Sequence, residues 1–401
     1  VASIVKRNKS YAVVYGYTNE EGVYKQKWET YKTEEAALKR KEEIENPIEF
    51  LAQKICTHTI SDLLDEYVQL HGSTKWSFST YDSRVRLMDN YIRPILGNIP
   101  LLRIDRHLLS RFFFELKTRY KPQPTEVTTF EIYKLLHSVF QQAMHWGYFR
   151  EHMMEHINLK QPYYSPRKAL SPEEVANVIN HAVERKDYRL ALMIHMAFSC
   201  SMRKGEILGL CWDDVDFKNS TISIKKELTR VSKDSLKILS GKMVYRAFPE
   251  RSGSKSQLII KLPKTRSSIR TVYMTPSLVE LLKAWKKIQL KNNMTKEDRE
   301  NDLLLTQNNG RPLCPKKCNK DFKDMLLDLG LPETVFHSLR YSSTAYKLII
   351  SGGNLKAVQG DNGHAQPNMV LSIYAQINDQ DRKAIAKKLE NDFCSKLLLA
   401  Q

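Results

Sequence analysis

Ser201-Met-Arg-Lys-Gly-Glu-Ile-Leu-Gly-Leu-Cys-Trp-Asp-Asp-Val-Asp-Phe217 opens as a helix start and closes as the approach to a strand. Arg203 heads the helical part. Glu206 follows three residues later, so the two side chains share a face. Upstream, Ser171-Pro-Glu-Glu174 puts serine at a cap, proline at the first helical position and acids in the first turn. Helices are predicted near 171–185, 187–199 and 203–211. Downstream, β-branched runs predict strands at Thr221–Leu228, Gln257–Leu262 and Arg270–Met274. Helical periodicity resumes at 276–290, 319–329, 337–351, 354–360 and 378–392. Residues 168–401 therefore read as one mixed, mainly α domain with a small antiparallel sheet.

The N-terminal part differs. Residues 4–31 predict three short strands around Tyr11-Ala-Val-Val-Tyr-Gly-Tyr17, with a turn at Asn19-Glu-Glu-Gly22 and a helix from Thr33 to about Glu45. Pro47 ends that unit, 1–47. Residues 57–160 predict only helices: one capped by Thr59, then about Ser79 to Tyr91 ending before Pro94, Arg106 to Tyr120, and Thr128 to Trp146. Tyr163 to Leu170, rich in proline, serine and basic residues, predicts a linker. The whole is a multidomain α+β chain: a small N-terminal sheet plus helix, a helical bundle, and the mixed C-terminal domain.

The C-terminal domain carries a set of chemically capable side chains. His337-Ser-Leu-Arg340 places an imidazole and a guanidinium on one helical face. Gly363-His364 follows a short helix, and Tyr374 comes ten residues after that histidine. Lys264 lies in Pro263-Lys-Thr-Arg-Ser-Ser between two strand signals, where a hairpin turn would hold it out. Each has an ordinary reading by itself: an ion pair, a structural histidine, one tyrosine of 19, a lysine in a basic loop.

Together and in this order they resemble the tyrosine recombinase (phage integrase) family, in particular integrases of conjugative transposons and phages. The resemblance is specific over about 168–377. It includes the flanking Glu206-Ile-Leu-Gly-Leu, Trp212-Asp-Asp-Val-Asp-Phe, Ile269-Arg-Thr-Val and Thr275-Pro. It implies catalytic roles for Arg203, Lys264, His337, Arg340, His364 and Tyr374, with Glu206 supporting Arg203. It implies that 57–160 is a core-binding DNA domain and that the N-terminal sheet is an arm-type DNA-binding domain. Three positions depart from the family's usual text: Cys200-Ser201 replaces Thr-Gly, Asn362 replaces leucine before Gly-His, and Gln376 replaces a histidine two residues after the tyrosine.

The chemistry fits these residue types. Attack on an anionic phosphodiester gathers charge on the non-bridging oxygens, and two forked guanidiniums can neutralise it. A phenol with a pKa near 10 needs that help and a proton acceptor, for which His337 is suited. By resemblance, Lys264 protonates the leaving 5′ oxygen, with Arg266 the nearest rival, and His364 hydrogen-bonds the phosphate. A tyrosyl ester conserves the phosphodiester's energy, so religation needs neither ATP nor metal, and no cofactor is expected.

The net charge of +18 points to a polyanionic partner, here double-stranded DNA. Lys6, Arg7, Lys9, Lys25 and Lys27 on the N-terminal sheet, with Arg266 and Arg270, are the candidate DNA contacts. Lys225 to Arg270 holds 13 Lys and Arg against three Asp and Glu, which reads either as a solvated loop, notably over Lys233–Lys255, or as a backbone-contacting stretch. Cys314 and Cys318 lack further ligands at zinc-like spacing and read as two unrelated thiols on a basic loop. There is no apolar run near the roughly 18 residues of a membrane span and no signal-peptide pattern, so a cytoplasmic protein is expected. The amphipathic run from Arg382 and the apolar Leu397–Ala400 either pack on their own domain or, by family analogy, dock on a neighbouring protomer of a homo-tetramer. Accessory DNA-bending or excision factors belong to the same analogy. A type IB topoisomerase and a non-catalytic DNA-binding protein are the competing readings.

Overall fold

The computed structural model describes residues 2–7, 10–18, 24–45, 57–163, 170–239, 244–250, 252–263, 268–291, 302–363 and 387. Lys9, Lys264, Arg266, His364, Tyr374 and the C-terminal tail apart from Lys387 lie outside them. The chain divides into two compact units, Val1–Tyr164 and Ser165–Gln401. Among the described residues no helix is long and apolar enough to cross a membrane.

In the first unit, β1 (Ala2–Arg7), β2 (Ser10–Thr18) and β3 (Tyr24–Tyr31) form an antiparallel sheet in the order β1-β2-β3. Helix α1 (Glu34–Glu45) adds Ala37 to a small core with Ala2 and Val13. The helical segment begins with α2 (Ile60–Glu66), whose Thr59 and Asp62 form a reciprocal capping box. The rod continues through a π turn, Tyr67–Gly72. Helix α3 (Phe78–Leu87) likewise runs through a π turn, Met88–Ile92, into Arg93–Leu96. The expected stop before Pro94 is therefore corrected. Pro94 falls at the start of a fresh α turn, where its missing N–H is not needed. Helices α4 (Arg106–Thr118) and α5 (Glu126–His145) bury Phe112, Leu116, Leu136 and Phe140.

The second unit is built around α7 (Tyr188–Ser199). This helix buries Leu190 to Ile194, Met196 and Ala197, which leaves it apolar nearly all round. Before it, α6 (Pro172–Glu184) starts at the predicted Ser171 cap, which forms a reciprocal capping box with Glu174. After it come α8 (Lys204–Leu208), β4 (Val215–Asp216), β5 (Thr221–Ile224), β6 (Glu227–Ser232), α9 (Lys233–Ile238), β7 (Val244–Ala247), β8 (Ser256–Lys261) and β9 (Arg270–Tyr273). The unit ends, in the described residues, with α10 (Pro276–Lys291), α11 (Pro315–Asp328), α12 (Ser338–Ile350) and α13 (Leu355–Asn362).

Two corrections concern the strands. The single small sheet is two antiparallel three-stranded sheets, β4-β5-β9 and β6-β8-β7. The predicted strand Thr221–Leu228 breaks after Ile224, and each half joins a different sheet. Secondly, the strands flanking Lys264 do not pair with each other as the two arms of a hairpin would. β8 pairs with β6 and β9 with β5. The basic stretch Lys233–Lys255, read as a possible solvated loop, contains the helix α9 and the strand β7, which pairs with β8 in the second sheet. The Cys314–Cys318 segment is also not a loop: Pro315 opens α11 and Cys318 is buried in its core-facing side.

Candidate active site

The site forms where α8, α12, β9 and the end of α13 converge. Ser201 sets it up. Its φ of +49° lies in the left-handed region that favours glycine. This turn lifts the chain out of α7 so that Arg203 becomes the N-cap of α8. Glu206, three residues on, accepts the Arg203 backbone N–H at 2.8 Å and its Nη1 at 2.6 Å. The predicted Arg203–Glu206 pair is thus a buried brace rather than a surface pair: the Glu206 side chain is 2% exposed.

Arg340 is 3% exposed. Its Nη1 donates to the Ser201 carbonyl and its Nη2 to the Asn362 carbonyl. Burial above all, then the nearby Arg203 charge, pushes its guanidinium down to about 9. That is still above neutrality, and arginine keeps its proton throughout. His337 caps the same helix, exposed at its rim, with its ring edge-on to Tyr341 at 5.6 Å. The i, i+3 reading therefore resolves into a buried guanidinium and an accessible imidazole.

Arg270 is the main revision among the residues named from sequence. The sequence places it among the candidate DNA contacts, but its side chain is 6% exposed and engaged inside the protein. Its Nη1 and Nη2 reach the two Glu206 oxygens at 3.2 and 3.0 Å. Its Nε donates to the Asp361 carbonyl at 2.9 Å, and Nη2 also reaches the Ser201 carbonyl at 3.4 Å. Burial raises the Glu206 carboxyl, but Arg270 and Arg203 outweigh it and hold the group below the usual carboxylate range.

Lys347 and Asp361 were not singled out from sequence. They form an ion pair behind the arginines, and Lys347 Nζ also donates to Ser201 Oγ at 3.0 Å. Nothing local marks them, because their contact depends on α12 meeting α13. Asn362, in place of the usual leucine, is fully buried. Its Nδ2 donates to Thr344 Oγ1 at 2.9 Å, while its Oδ1 has no partner among the described residues. Arg203, Arg270, Arg340 and Lys347 face the two carboxylates of Glu206 and Asp361, which leaves the pocket positive and suited to an anion. Among the described residues no cluster of three or more His, Cys, Asp or Glu could hold a metal ion.

On the N-terminal sheet, Lys25 and Lys27 lie exposed on β3, Lys6 stands over the Tyr11 ring and Arg7 over the Trp28 ring. Trp28 and Tyr24 are themselves exposed.

The fold is that of the tyrosine recombinases. It is similar to the Tn1549 transposon integrase solved with a circular intermediate DNA (TM-score 0.65, 20% identity, 83% of this chain and 100% of that one). More particularly, the chain belongs to the phage integrase family, whose model matches residues 168–381. It is 25% identical over 329 residues to a XerC-like tyrosine recombinase of Caldanaerobacter subterraneus subsp. tengcongensis, covering 79% of this chain and 78% of the relative. It is 22% identical to the ICEBs1 integrase of Bacillus subtilis, over 64% of this chain and 63% of that protein.

Proposed function

We propose that this integrase-family protein cleaves and rejoins double-stranded DNA through a 3′-phosphotyrosyl bond on Tyr374, integrating and excising a mobile genetic element. The observation that carries the reading is the Arg203–Arg340 pocket, in which two guanidiniums from separate elements are fixed around Ser201 and Glu206. In this reading the scissile phosphate lies against both forks, which stabilise the charge that develops during attack. His337, exposed at the pocket's rim, takes the tyrosine proton. Lys264 protonates the leaving 5′ oxygen and His364 hydrogen-bonds the phosphate. The positive charge comes from side chains, so no metal or ATP takes part. The aromatic and basic face of the N-terminal sheet binds arm-type sites, and 57–160 binds the core site. Four protomers assemble on DNA through exchange of C-terminal tails, with accessory factors setting direction. Similarity to the ICEBs1 and Tn1549 integrases supports a mobile-element substrate.

The test is a nicked suicide duplex built from the element's own ends. The wild-type chain should form a covalent adduct without added metal. Tyr374→Phe should bind the duplex and form none. A normal adduct yield from Tyr374→Phe would overturn the assignment and direct attention to Tyr341 or Tyr346, which are both exposed.

A further inference from the structure

Arg270 touches three separate segments of the pocket with one guanidinium. Its fork closes on both oxygens of Glu206, whose other contacts are the backbone and side chain of Arg203. Its Nε holds the Asp361 carbonyl, and the next carbonyl along, that of Asn362, accepts Arg340. It also shares the Ser201 carbonyl with Arg340. The side chain thus stands behind both arginines without being aimed at solvent. It ties them to the end of α13, directly before the segment that carries His364 and Tyr374.

We propose that Arg270 is a positioning residue for strand cleavage: it locks Glu206 and the Ser201 and Asp361 carbonyls so that Arg203 and Arg340 hold one geometry around the scissile phosphate. This rests on the recombinase reading. Three features support it beyond simple burial. The contact to Glu206 is two-pronged, which fixes an angle as well as a distance. The carbonyls it holds are the ones, or the neighbours of the ones, that hold Arg340. Finally, β9 is anchored by pairing with β5, so the guanidinium is mounted on a rigid strand. Lysine could retain the charge and one bond to Glu206, but it could not bridge all three segments.

The experiment compares the full-length wild type, Arg270→Lys, Arg270→Gln, Glu206→Gln and the Arg270→Gln/Glu206→Gln double variant on the suicide duplex. Single-turnover adduct formation is measured at saturating protein, with DNA affinity and thermal unfolding measured in parallel. Arg270→Lys should cleave about 10²-fold more slowly, the scale of an ångström-level misplacement. Its DNA affinity should be unchanged. The double variant should be no slower than the slower single variant, because both residues act through one contact. A duplex with an uncharged methylphosphonate at the scissile position asks less of the arginines and should narrow the gap between wild type and Arg270→Lys.

Three results would overturn the proposal: Arg270→Lys cleaving at the wild-type rate, affinity falling in step with cleavage, or the methylphosphonate gap staying unchanged. The last would mean the defect is not in charge placement. If Arg270→Gln unfolds, Arg270→Lys carries the test. Failure of the wild type itself to form adduct would refute the recombinase reading, which separates the two claims.

Discussion

Glu29 in the N-terminal sheet and Glu206 in the C-terminal unit are both carboxylates gripped by arginine, yet their surroundings balance differently. Glu29 accepts Arg40 Nε at 2.8 Å, Tyr15 Oη at 2.7 Å and Tyr31 Oη at 2.8 Å, and pairs with Lys27 at 3.0 Å. Arg40 is shared with Glu43, so two acids meet two bases and the network closes on itself. Arg40 above all, opposed by burial and aided by Tyr15, Lys27 and Tyr31, holds the Glu29 carboxyl far below its usual range. Glu206 is more deeply buried and serves two arginines, while Arg340 adds a third guanidinium beside it. The first network is complete as a brace between sheet and helix. The second retains an excess of positive charge, which a phosphate would complete.

The sharpest way to break this contrast is to remove each negative charge in turn. Glu206→Gln leaves a buried cluster of cations without its main counter-charge. Stability should fall by about 3–5 kcal/mol, as when one partner of a buried pair is lost. Cleavage should fall at least about 10²-fold because Arg203 loses its anchor. Glu29→Gln keeps an acceptor for the two tyrosines and sits nearer solvent, so about 1–2 kcal/mol is expected, with cleavage unchanged. Urea unfolding followed by hydrogen exchange in each unit reads both. Equal losses would mean that the two sites are alike and that the excess charge in the pocket has no special cost.

How much of this was legible in sequence follows from the range of the interactions. The capping boxes at Ser171 and Thr59, and the apolar periodicity of α7, act within one or two turns and can be read directly. The Arg203–Glu206 and His337–Arg340 spacings also lie within one turn, so their local geometry was readable. Arg270 was not. A basic residue on a strand beside a basic loop looks like a surface contact until the pairing of β9 with β5 turns it toward Glu206. Lys347–Asp361 depends on two helices meeting, and the split of the sheet after Ile224 depends on partners 24 or more residues away in sequence. Charge density misled over Lys233–Lys255 because it reports solvation, not whether short elements pair.

A second prediction tests the Glu29 network by pH. The folded-state pKa of Glu29 is depressed, so its contribution is fully present above the unfolded value of about 4.3 and is lost as pH falls below it. The stability gap between wild type and Glu29→Gln should be constant above about pH 5.5 and should shrink progressively in more acidic solution. Hydrogen exchange of the β2 and β3 amides at several pH values would measure it. A gap that widened on acidification would contradict the sign, and with it the claim that this network stabilises the ionised form.

The smallest effect expected is at Ser201, and it asks whether the pocket is held by a side chain or by the main chain. Ser201 occupies left-handed backbone at φ +49°, which costs a non-glycine residue about 1 kcal/mol. Its Oγ meets Ser343 Oγ at 2.6 Å and receives Lys347 Nζ at 3.0 Å, and these bonds offset that strain. Ser201→Gly relieves the strain and deletes both bonds. Lys347 keeps Asp361, and Ser343, inside α12, can turn its hydroxyl to the carbonyl one turn back. Net stability should therefore move by less than about 1 kcal/mol. The Ser201 carbonyl, which accepts both Arg340 and Arg270, survives the substitution. Cleavage of the suicide duplex should accordingly stay within about twofold of wild type, under half a kcal/mol of barrier. A tenfold loss of cleavage at unchanged stability would show instead that the serine hydroxyl, through Lys347 and Asp361, sets the arginine geometry. The main-chain account of the pocket would then have to give way.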